Sequence, residues 1–599
     1  MQSITSLYGS MVFNDQTMKK RLSADVYDRY HQCLKEGSEL SEADADVIAN
    51  EMKEWAVELG ATHYTHWFQP MTGITAEKHD SFIEPDGDSV IMKLSGKELI
   101  KGEADASSFP NGGLRSTFEA RGYTAWDMSS YAFIKDGTLC IPTVFLSYGG
   151  ESLDKKTPLL KSEEFIEKQA KRLLHLLGKD VNSVITTVGA EQEYFLIDKQ
   201  MYQKRKDLVY TGRTLFGNRP PKTQELDDHY FGVIKPRVLA FMKELNEECW
   251  KLGIPAKTQH NEVAPCQHEL APIYTLTNRA CDQNQIVMEL MKKIADKHDL
   301  VCLLHEKPFD GINGSGKHNN WSMSADGENL LSPKGSDEQF LLFLSAVLQA
   351  VDEYPELLRV AAASAGNDHR LGGHEAPPAV LSVFIGDDLE HRIQNFIYNK
   401  KKESSTNASL NVEVHSLPKF FQDTSDRNRT SPFAFTGNKF EFRMLGSSQS
   451  IACSNINLNT AVADVLCRFA DQLEASSEDL STAIRKVVQT SYEQHKRIIF
   501  NGDGYAKEWI DEAERRGLLN LPTTADTLPC YLNQKNIALF ERHKIFTAAE
   551  LRGRYEILLE NYNNVNSIEA YTMLSIVRKQ ILPSVMEYTR FLSETISAK

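Results

Sequence analysis

The segment "VITTVGAEQEYFLID", residues 184–198, restricts the fold more than any other part of this chain. Its β-branched and aromatic residues favour a strand. Side chains alternate across a strand, so Glu191 and Glu193 fall on the same face. Two neighbouring carboxylates on an otherwise apolar strand repel each other unless a cation lies between them. The segment therefore predicts either a buried strand that holds a cation, which we favour, or a solvated edge strand.

A second acidic segment is "HNEVAPCQHELAP", residues 260–272. Glu262 and Glu269 are seven residues apart, which would place them on opposite faces of a regular strand. Pro265 cannot join a strand ladder, so we expect a bend or bulge there that could bring both acids to one side. Taken alone, two surface acids would be the commoner interpretation.

The segment "DGINGSGKHNNWSM", residues 310–323, is similar to a nucleotide-binding P-loop. Gly311, Gly316 and Lys317 fit the pattern, but His318 stands where Ser or Thr should bind Mg²⁺. A P-loop also leads directly into a helix, whereas "KHNNWSMSADG" has the alternation of a strand and is a poor helix start. His318 at the start of a strand suits a metal ligand, although a single His is more often structural.

The segment "GNKFEFRML", residues 437–445, has a charged face and an apolar face. As a strand it places Lys439, Glu441 and Arg443 on one side. Phe440 and Phe442 lie on the other. The charged side is either a solvated surface or part of a site that holds metal and phosphate together.

Two turn-rich loops add further charged residues, Arg370, Glu375, Arg427 and Arg429. Arginine is suited to clamping a planar carboxylate or a phosphate. The strand segments together offer several basic residues, His318 as the one candidate imidazole, and five candidate carboxylates: Glu191, Glu193, Glu262, Glu269 and Glu441. Hard oxygen donors with one imidazole favour Mg²⁺ or Mn²⁺ over zinc or iron.

The overall composition narrows the possible partners and location. The net charge is 67 − 82 = −15 with no Lys/Arg-rich stripe, so we expect no nucleic-acid partner. The nine cysteines are scattered without a C-x-x-C pair, which is typical of reduced thiols in the cytoplasm. The most apolar run, residues 340–351, is too short for a membrane span and predicts a buried helix.

A chain of 599 residues exceeds one hydrophobic core, so we expect two or three domains. The first, mixed α and β, should span 1–150 and include a helical stretch at 22–60 and a hairpin turning on Asp136-Gly137. Residues 147–160 read as a polar linker, followed by a helix capped by Ser162. The second domain should span residues 151–480. A helical region should follow at residues 481–599.

The motifs taken together resemble glutamine synthetase, and specifically its long type III class. Seven segments carry the resemblance in family order: "HYTHWFQPMTGITAEKHDSF", "EADASSFPNGGLR", "GAEQEYF", "HNEVAPCQHELAP", "HEKPFDGINGSGKHNNWSM", "AGNDHRLGGHEAPP" and "NRTSPFAF…NKFEFRML". The resemblance implies an α+β fold with an N-terminal β-grasp domain and a catalytic domain on a curved antiparallel sheet. It also implies a homo-oligomer of stacked rings, a dodecamer, with active sites between subunits.

The resemblance assigns two metal positions, with two or three Mg²⁺ or Mn²⁺ ions in each active site. In the family pattern three glutamates hold one ion, and the matching residues are Glu193, Glu262 and Glu269. Two acids and a histidine hold the second, and the matching residues are Glu191, Glu441 and His318.

The resemblance also assigns the substrates, which are L-glutamate, ammonia and ATP. The residues expected around glutamate are Asn313, Gly314, Arg370 and Arg443. The expected catalytic residues are the flap acid Glu375, Arg429 on the transferring phosphoryl group, and Asp105, offered to the ammonium site by a neighbouring subunit. Asn320, Ser322 and Lys439 are assigned to the nucleotide, where this chain departs most from the short bacterial pattern.

The implied reaction is ATP-dependent ligation of ammonia to L-glutamate through γ-glutamyl phosphate, which serves nitrogen assimilation. One alternative is a γ-glutamyl ligase that uses an amine or polyamine, but a small anionic pocket at Asp105 suits ammonium better. Another is a ring-forming protein that has lost catalysis. Such a protein should have lost metal ligands, whereas all six matched positions are intact.

Overall fold

The computed structural model describes residues 3–373, 375–398, 409–410, 416, 420–421 and 427–598. The architecture is α+β, as predicted, with two large sheets and a helical C-terminal region. The N-terminal helices are α1 Ile4–Leu7, α2 Asp15–Arg21, α3 Ala24–Glu36, α4 Glu42–Glu58 and α5 Gly96–Ile100. The N-terminal strands are β1 His63–Trp67, β2 Asp80–Ser81, β3 Ile83–Asp86, β4 Ser89–Met92, β5 Lys101–Gly102, β6 Gly122–Trp126, β7 Phe133–Lys135 and β8 Thr138–Ser147.

The N-terminal sheet has six strands in the order β2-β1-β8-β6-β5, with β7 paired to β8. Strands β1 and β8 are parallel and the other pairs are antiparallel. The predicted hairpin at Asp136-Gly137 is confirmed, since both residues have positive φ, 54° and 72°, as a two-residue I′ turn requires. The stretch 22–60 forms two helices, because Gly37 ends α3 in the left-handed conformation and Ser41 caps α4.

The middle of the chain contains the second sheet and the helices around it. Its helices are α6 Lys156–Leu176, α7 Lys199–Lys204, α8 Lys206–Thr211, α9 Pro236–Lys251, α10 Thr277–Lys297, α11 Asp337–Glu353, α12 Pro355–Ala361, α13 Ala365–Arg370 and α14 Asp387–Ile397. Its strands are β9 Val184–Asp198, β10 Ala256–Asn261, β11 Gln267–Pro272, β12 Thr275–Leu276, β13 Leu300–Leu303, β14 Gly316–Ala325, β15 Glu328–Asn329, β16 Val383–Phe384, β17 Ser409–Leu410, β18 Phe420–Phe421, β19 Phe433–Phe435 and β20 Phe440–Gly446.

The second sheet has ten strands in the order β10-β11-β9-β14-β20-β19-β16. Strands β12 and β13 pair with β9, and β15 pairs with β14. All pairs are antiparallel except β16 with β19. One face of the sheet packs on a hydrophobic core that includes Trp321, Phe440 and Phe442. The polar residues of β9, β14 and β20 alternate with these buried ones, which leaves the other face available for chemistry.

The C-terminal helices pack on the same core as this sheet. They are α15 Ala452–Ala475, α16 Leu480–His495, α17 Lys507–Arg515, α18 Thr524–Thr527, α19 Gln534–Arg542, α20 Ala548–Ile576 and α21 Leu582–Ser597. Trp509, Phe540 and Leu551 belong to the cluster that contains Phe340 and Leu344 of α11. These helices therefore share one hydrophobic core with the second sheet. Within the described part of the chain, no helix is both long and apolar enough to cross a membrane.

Two local predictions are wrong. Residues 147–160 are not an exposed linker, because Ser152, Asp154 and Lys156 are almost completely buried. Arg554 of α20 donates hydrogen bonds to Ser152 Oγ and to the Asp154 carbonyl, so the segment is held by the C-terminal region. Ser162 is also no cap, since α6 begins at Lys156 and Ser162 lies buried inside it. A serine followed by acids is only a local signal, and here burial overrides it.

Candidate active site

Strand register brings the predicted acids together on the second sheet. Glu191 of β9 lies opposite His318 of β14. Glu193 lies opposite Glu269 of β11, which in turn lies opposite His260 of β10. Directly opposed side chains in an antiparallel pair have Cβ atoms about 5 Å apart. Strands separated by long stretches of sequence therefore place their polar side chains in one continuous patch.

Glu262 and Glu269 are brought to one side by a hairpin rather than by a bend within one strand. Strand β10 ends before Glu262, and β11 begins at Gln267. The Glu262 amide donates to the Gln267 carbonyl at 2.9 Å, and Cys266 adopts φ 67° in the turn. The predicted proximity of the two acids is confirmed, but the reversal is a complete turn.

Glu441 and Arg443 of β20 share a face, as predicted. The Arg443 Nη1 donates to Glu441 Oε1 at 2.6 Å, and His318 Nδ1 lies 3.3 Å from the same oxygen. The pairing of β14 with β20 is irregular between Lys317 and Asn319, which marks a bulge at the site.

Glu191, His318 and Glu441 form the first candidate metal trio, with ligand atoms within 4.8 Å of one another. Burial alone would raise the pKa of Glu191, but the hydrogen bond from His318 and its charge lower it to about 2. Burial and Arg443 oppose a charge on His318, yet its contacts with Glu191 and Glu441 raise its pKa to about 9. This trio matches the second predicted ion position residue for residue.

The remaining acids form two overlapping trios, Glu193–Glu269–His318 and His260–Glu262–Glu269. Burial, and then the charges of Glu193 and Glu269, raise the pKa of Glu262 to about 8. Burial also raises the pKa of Glu269. The structure thus places Glu269 between Glu193 and Glu262. His318 joins Glu193 and Glu269 in one trio, and His260 joins Glu262 and Glu269 in the other.

The donor set fits a divalent cation. Glu269 Oε1 is buried and has no hydrogen-bond partner among the described residues. An unpartnered carboxylate oxygen beside two further acids is unfavourable without a counter-ion. Carboxylate oxygens with one imidazole are the ligands that Mg²⁺ and Mn²⁺ accept.

The flap acid Glu375 lies between the expected substrate loop and the expected phosphoryl arginine. Its Oε2 accepts from Asn313 Nδ2 at 3.0 Å, and its Oε1 accepts from Arg429 Nη1 at 3.1 Å. Burial raises the pKa of Glu375, against the opposing charge of Arg429. The backbone of Glu375 has φ 56°, a conformation that non-glycine residues rarely adopt and that concentrates at functional sites.

Arg370 is a buried residue and not a surface arginine. It is 2% exposed, and its guanidinium donates to the carbonyl oxygens of Arg443, Met444 and Leu445. A Cβ on Gly316 would lie 2.1 Å from Arg370 Nη2, so a glycine is required for this approach. The Nε atoms of Arg370 and Arg443 are both buried without a partner among the described residues.

Of the three residues assigned to the nucleotide, Asn320 and Ser322 donate side-chain hydrogen bonds to other parts of the protein. Asn320 Nδ2 donates to Glu191 Oε1 at 3.0 Å, so it orients the carboxylate of a candidate metal ligand. Ser322 Oγ donates to the Asn438 carbonyl at 2.8 Å and supports the turn that carries Lys439. Lys439 itself is half-buried in that turn.

Lys317 and Asp105 lie away from the metal trios. Lys317 is 0% exposed, and its Nζ contacts the Gln449 carbonyl and Met288 Sδ, so it lies on the face opposite His318 and not in a phosphate loop. Asp105 is exposed at the N-cap of a short 3-10 turn, where Ser107 donates to its carboxylate.

Comparison with known proteins decides the family. The family described as "Glutamine synthetase type III N terminal" matches residues 4–162, the glutamine synthetase catalytic domain matches 168–381, and the glutamine synthetase C-terminal domain matches 483–599. A type-3 glutamine synthetase from Dictyostelium discoideum is 46% identical over 99% of this chain and 83% of its own length. A glutamine synthetase from Bacteroides fragilis (strain YCH46) is 48% identical over the same shares.

This chain belongs to the type III glutamine synthetases. It is an ATP-dependent glutamate–ammonia ligase that makes glutamine, which confirms the assignment made from the motifs. Members of this family use ATP and divalent metal ions. Its fold is similar to a Plasmodium falciparum glutamine synthetase determined by cryo-electron microscopy, with TM-score 0.57 and 13% identity over 87% of this chain and 96% of that one. It is also similar to a structure described as "Apo GmaS without ligand", with TM-score 0.53 and 14% identity over 86% and 95% of the two chains.

The sequence analysis missed three residues that contact members of the candidate site. His260 lies 2.7 Å from Glu269 Oε2, and the motif that contains both acids begins with it. Gln224 is bonded to both the amide and the side chain of Asn313, at 2.9 and 2.8 Å. The Tyr505 hydroxyl reaches the Arg429 carbonyl. Gln224 and Tyr505 lie outside every quoted motif, so no local pattern could have found them.

Proposed function

We propose that this enzyme forms glutamine in two steps at the patch between β10 and β20. The observation that carries the proposal is Glu375, which contacts both Asn313 and Arg429 beside the acidic cluster. A carboxylate is a poor electrophile, so the γ-phosphate of ATP is first transferred to the γ-carboxylate of glutamate. Ammonia then displaces phosphate from this γ-glutamyl phosphate.

Glutamate would be bound by the Asn313–Gly314 loop and by the two arginines of the patch. Unpaired buried donors are unfavourable, and Arg370 Nε and Arg443 Nε are such donors. A bound carboxylate would satisfy them. Gln224 would hold Asn313 in place through its two hydrogen bonds.

The six ligand positions would hold two or three Mg²⁺ or Mn²⁺ ions. The chemistry that divalent ions held by these residues would supply is neutralisation of negative charge on the phosphoryl group. Arg429 would add a guanidinium to the same group, since its side chain is 69% exposed and can reach a ligand. Asn320 would keep Glu191 oriented, and Ser322 and Lys439 would shape the nucleotide end of the site.

Glu375 would close the site and take a proton from bound ammonium. A raised pKa suits a group that must accept a proton near neutral pH. Closure also excludes water, which would otherwise hydrolyse the acyl phosphate. Asp105 of a neighbouring subunit would complete the ammonium pocket, which is why we propose active sites between subunits.

The remaining proposals concern architecture. The N-terminal sheet with α4 would be a β-grasp domain within 1–150, followed by a catalytic domain at 151–480 on a curved sheet and a helical region at 481–599. We propose a dodecamer of stacked rings. The nine cysteines are free thiols, which supports a cytoplasmic location.

The test is to measure ADP release and glutamine formation in Glu375→Ala with glutamate, Mg²⁺ and ammonium. We expect ADP release to continue while glutamine formation is lost, because activation precedes proton removal. Glu556→Ala, an exposed acid on α20, is the control and should match the wild type. Glutamine formation at the wild-type rate in Glu375→Ala would refute the role of Glu375. Higher activity with methylamine than with ammonium would favour an amine ligase.

A further inference from the structure

The segment that carries Arg429 is held by a loop from the C-terminal helical region. Three consecutive residues are each bonded to this loop, defined as residues 502–505 and called the seat loop. The bonds are Asn428 Nδ2 to the Gly502 carbonyl at 2.9 Å, the Tyr505 hydroxyl to the Arg429 carbonyl at 3.4 Å, and the Gly504 amide to Thr430 Oγ1 at 2.8 Å. The seat loop therefore holds the Arg429 carbonyl and the side chains of the residues on both sides of Arg429.

The contact is tightest at Gly504. A Cβ added there would lie 2.7 Å from the Thr430 carbonyl oxygen and 3.2 Å from Thr430 Oγ1. Separations under 3 Å to backbone atoms require the backbone to move. Gly504 is buried, so this contact cannot be relieved by turning outward. Any side chain at this position would displace the segment that carries Arg429.

Among the described residues, the Arg429 side chain forms one ion pair, with Glu375, and it is 69% exposed. Asn428, immediately before it, has φ 34°, and its side chain caps Thr430 by accepting from the Thr430 amide and hydroxyl. The direction in which Arg429 leaves the backbone is thus set by this turn and by the seat loop beneath it.

Tyr505 also faces the charged groups of the site. Partial burial raises the pKa of its hydroxyl to about 12, and the charges that act on it are those of Arg443, Glu375, Arg370 and Arg429. The phenol is therefore neutral at physiological pH and available as a hydrogen-bond donor. A residue of the helical region thus bonds to the Arg429 backbone, and the charges proposed to hold glutamate and phosphate act on its hydroxyl.

We propose that the seat loop is a positioning element of the active site, and that Gly504 and Tyr505 seat Arg429 for phosphoryl transfer. The inference rests on the role proposed above for Arg429. It extends the active site into the C-terminal region, which none of the motifs reaches. The region would support catalysis directly and not only cover the core.

The first experiment compares Gly504→Ala with Gly335→Ala. At Gly335 an added Cβ meets nothing closer than 3.7 Å, so this variant is the matched control. Gly504→Ala should lower kcat for ADP release by about 10- to 100-fold, because small displacements of a catalytic group have effects of this size. KM for ATP and for glutamate should change less than about twofold, since a transition-state contact is lost. A rise in KM with kcat unchanged would overturn the proposal.

A double-mutant cycle separates positioning from general damage to the fold. If the seat loop acts through Arg429, Gly504→Ala combined with Arg429→Ala should be no slower than Arg429→Ala alone. Fully additive losses would contradict the inference. Tyr505→Phe should lower kcat by about fivefold, the effect of one hydrogen bond, while Tyr571→Phe on the exposed face of α20 should have no effect.

Amide hydrogen exchange of residues 427–431 tests whether the seat loop holds this segment, independently of enzyme activity. Exchange in this segment should be faster in Gly504→Ala than in the wild type and in Gly335→Ala. Unchanged exchange would refute the seat loop even if the enzyme makes glutamine as proposed. Conversely, a wild type whose ADP release does not depend on ammonium would refute the proposed reaction, whereas the exchange result would still stand.

Discussion

Two clusters of buried acids in this protein are neutralised in different ways. The junction cluster, Asp127, Lys156 and Asp282, lies where the N-terminal sheet meets α6 and α10. The site cluster, Glu193, Glu262 and Glu269, lies on the second sheet. The first contains its own cation, Lys156. In the second, the ion pairs among the described residues are with His260 and His318, and none is with a lysine or arginine.

The junction cluster is satisfied by the protein itself. Lys156 Nζ lies 2.9 Å from Asp127 Oδ2 and also contacts Asp282. Gln69 and Ser130 donate to Asp282 at 2.6 and 2.7 Å. The positive charge of Lys156 holds the pKa of Asp127 below its usual range although burial opposes it, while burial prevails at Asp282 and raises its pKa.

The site cluster is left with carboxyl groups that the described residues do not pair completely. Burial and mutual repulsion raise the pKa of Glu262 to about 8, and Glu269 Oε1 has no partner among the described residues. Complete internal pairing is typical of a structural cluster, whereas incomplete pairing with raised pKa values is typical of a binding site. The comparison predicts opposite responses when a charge is removed from each.

The largest effect is expected from Glu269→Gln. Removing a ligand shared by two trios should lower glutamine formation by at least about 10²-fold, since even residues that only orient metal ligands contribute 10- to 100-fold in metal affinity. Without metal the variant should be at least as stable as the wild type, because the charge it loses is unfavourable. Activity assays and thermal unfolding measure both.

Added Mn²⁺ should then raise the melting temperature of the wild type and of a surface control, Glu474→Gln, but not that of Glu269→Gln. At 100 times Kd the ligand adds about 2.7 kcal/mol to folded-state stability. If Mn²⁺ raised the melting temperature of all three proteins equally, Glu269 would not be a ligand.

Lys156→Met should have the second-largest effect, on stability. It leaves Asp127 and Asp282 buried without their cation, and breaking a buried ion pair in this way costs about 3–5 kcal/mol. The unfolding midpoint in urea should fall. Adding Asp127→Asn and Asp282→Asn should restore part of the loss, because the remaining charges are then removed. A Lys156→Met protein as stable as the wild type would contradict the comparison.

The smallest effect is a pH dependence from Glu163, an acid of α6 near the junction cluster. Burial and then the charge of Asp127 raise its pKa to about 8. The folded protein therefore keeps a proton that the unfolded chain releases above pH about 4.5, so stability falls as pH rises from about 4.5 to about 8. Glu163→Gln should match the wild type at pH 5 and melt a few degrees higher at pH 8. Equal melting temperatures at pH 8 would refute this.

The sequence was most informative where chemistry depends on short spacing. Alternation along a strand placed Glu441 with Arg443 and both phenylalanines opposite them, as observed. The same period placed Glu191 with Glu193. The Asp136-Gly137 turn was predictable because only a few residue types tolerate two positive φ angles in succession.

The sequence was least informative where segments that are distant along the chain contact each other. The segment 147–160 is polar by composition, yet Asp154 and Lys156 are buried by partners in α10 and α20. Gln224 and Tyr505 join the site from segments that carry no motif. Long-range contacts of this kind leave no periodic trace in the residues that make them.

The sequence alone determined the family, the reaction and the types of ligand, because these depend on which residues occur in short motifs. The tertiary structure decided which acids share an oxygen-lined site, that a hairpin joins Glu262 to Glu269, and that Lys156 neutralises the junction cluster. It also placed the seat loop beneath Arg429. The physical reason is that charge balance and burial are properties of neighbours in space, which strand register and packing set, and not of neighbours along the chain.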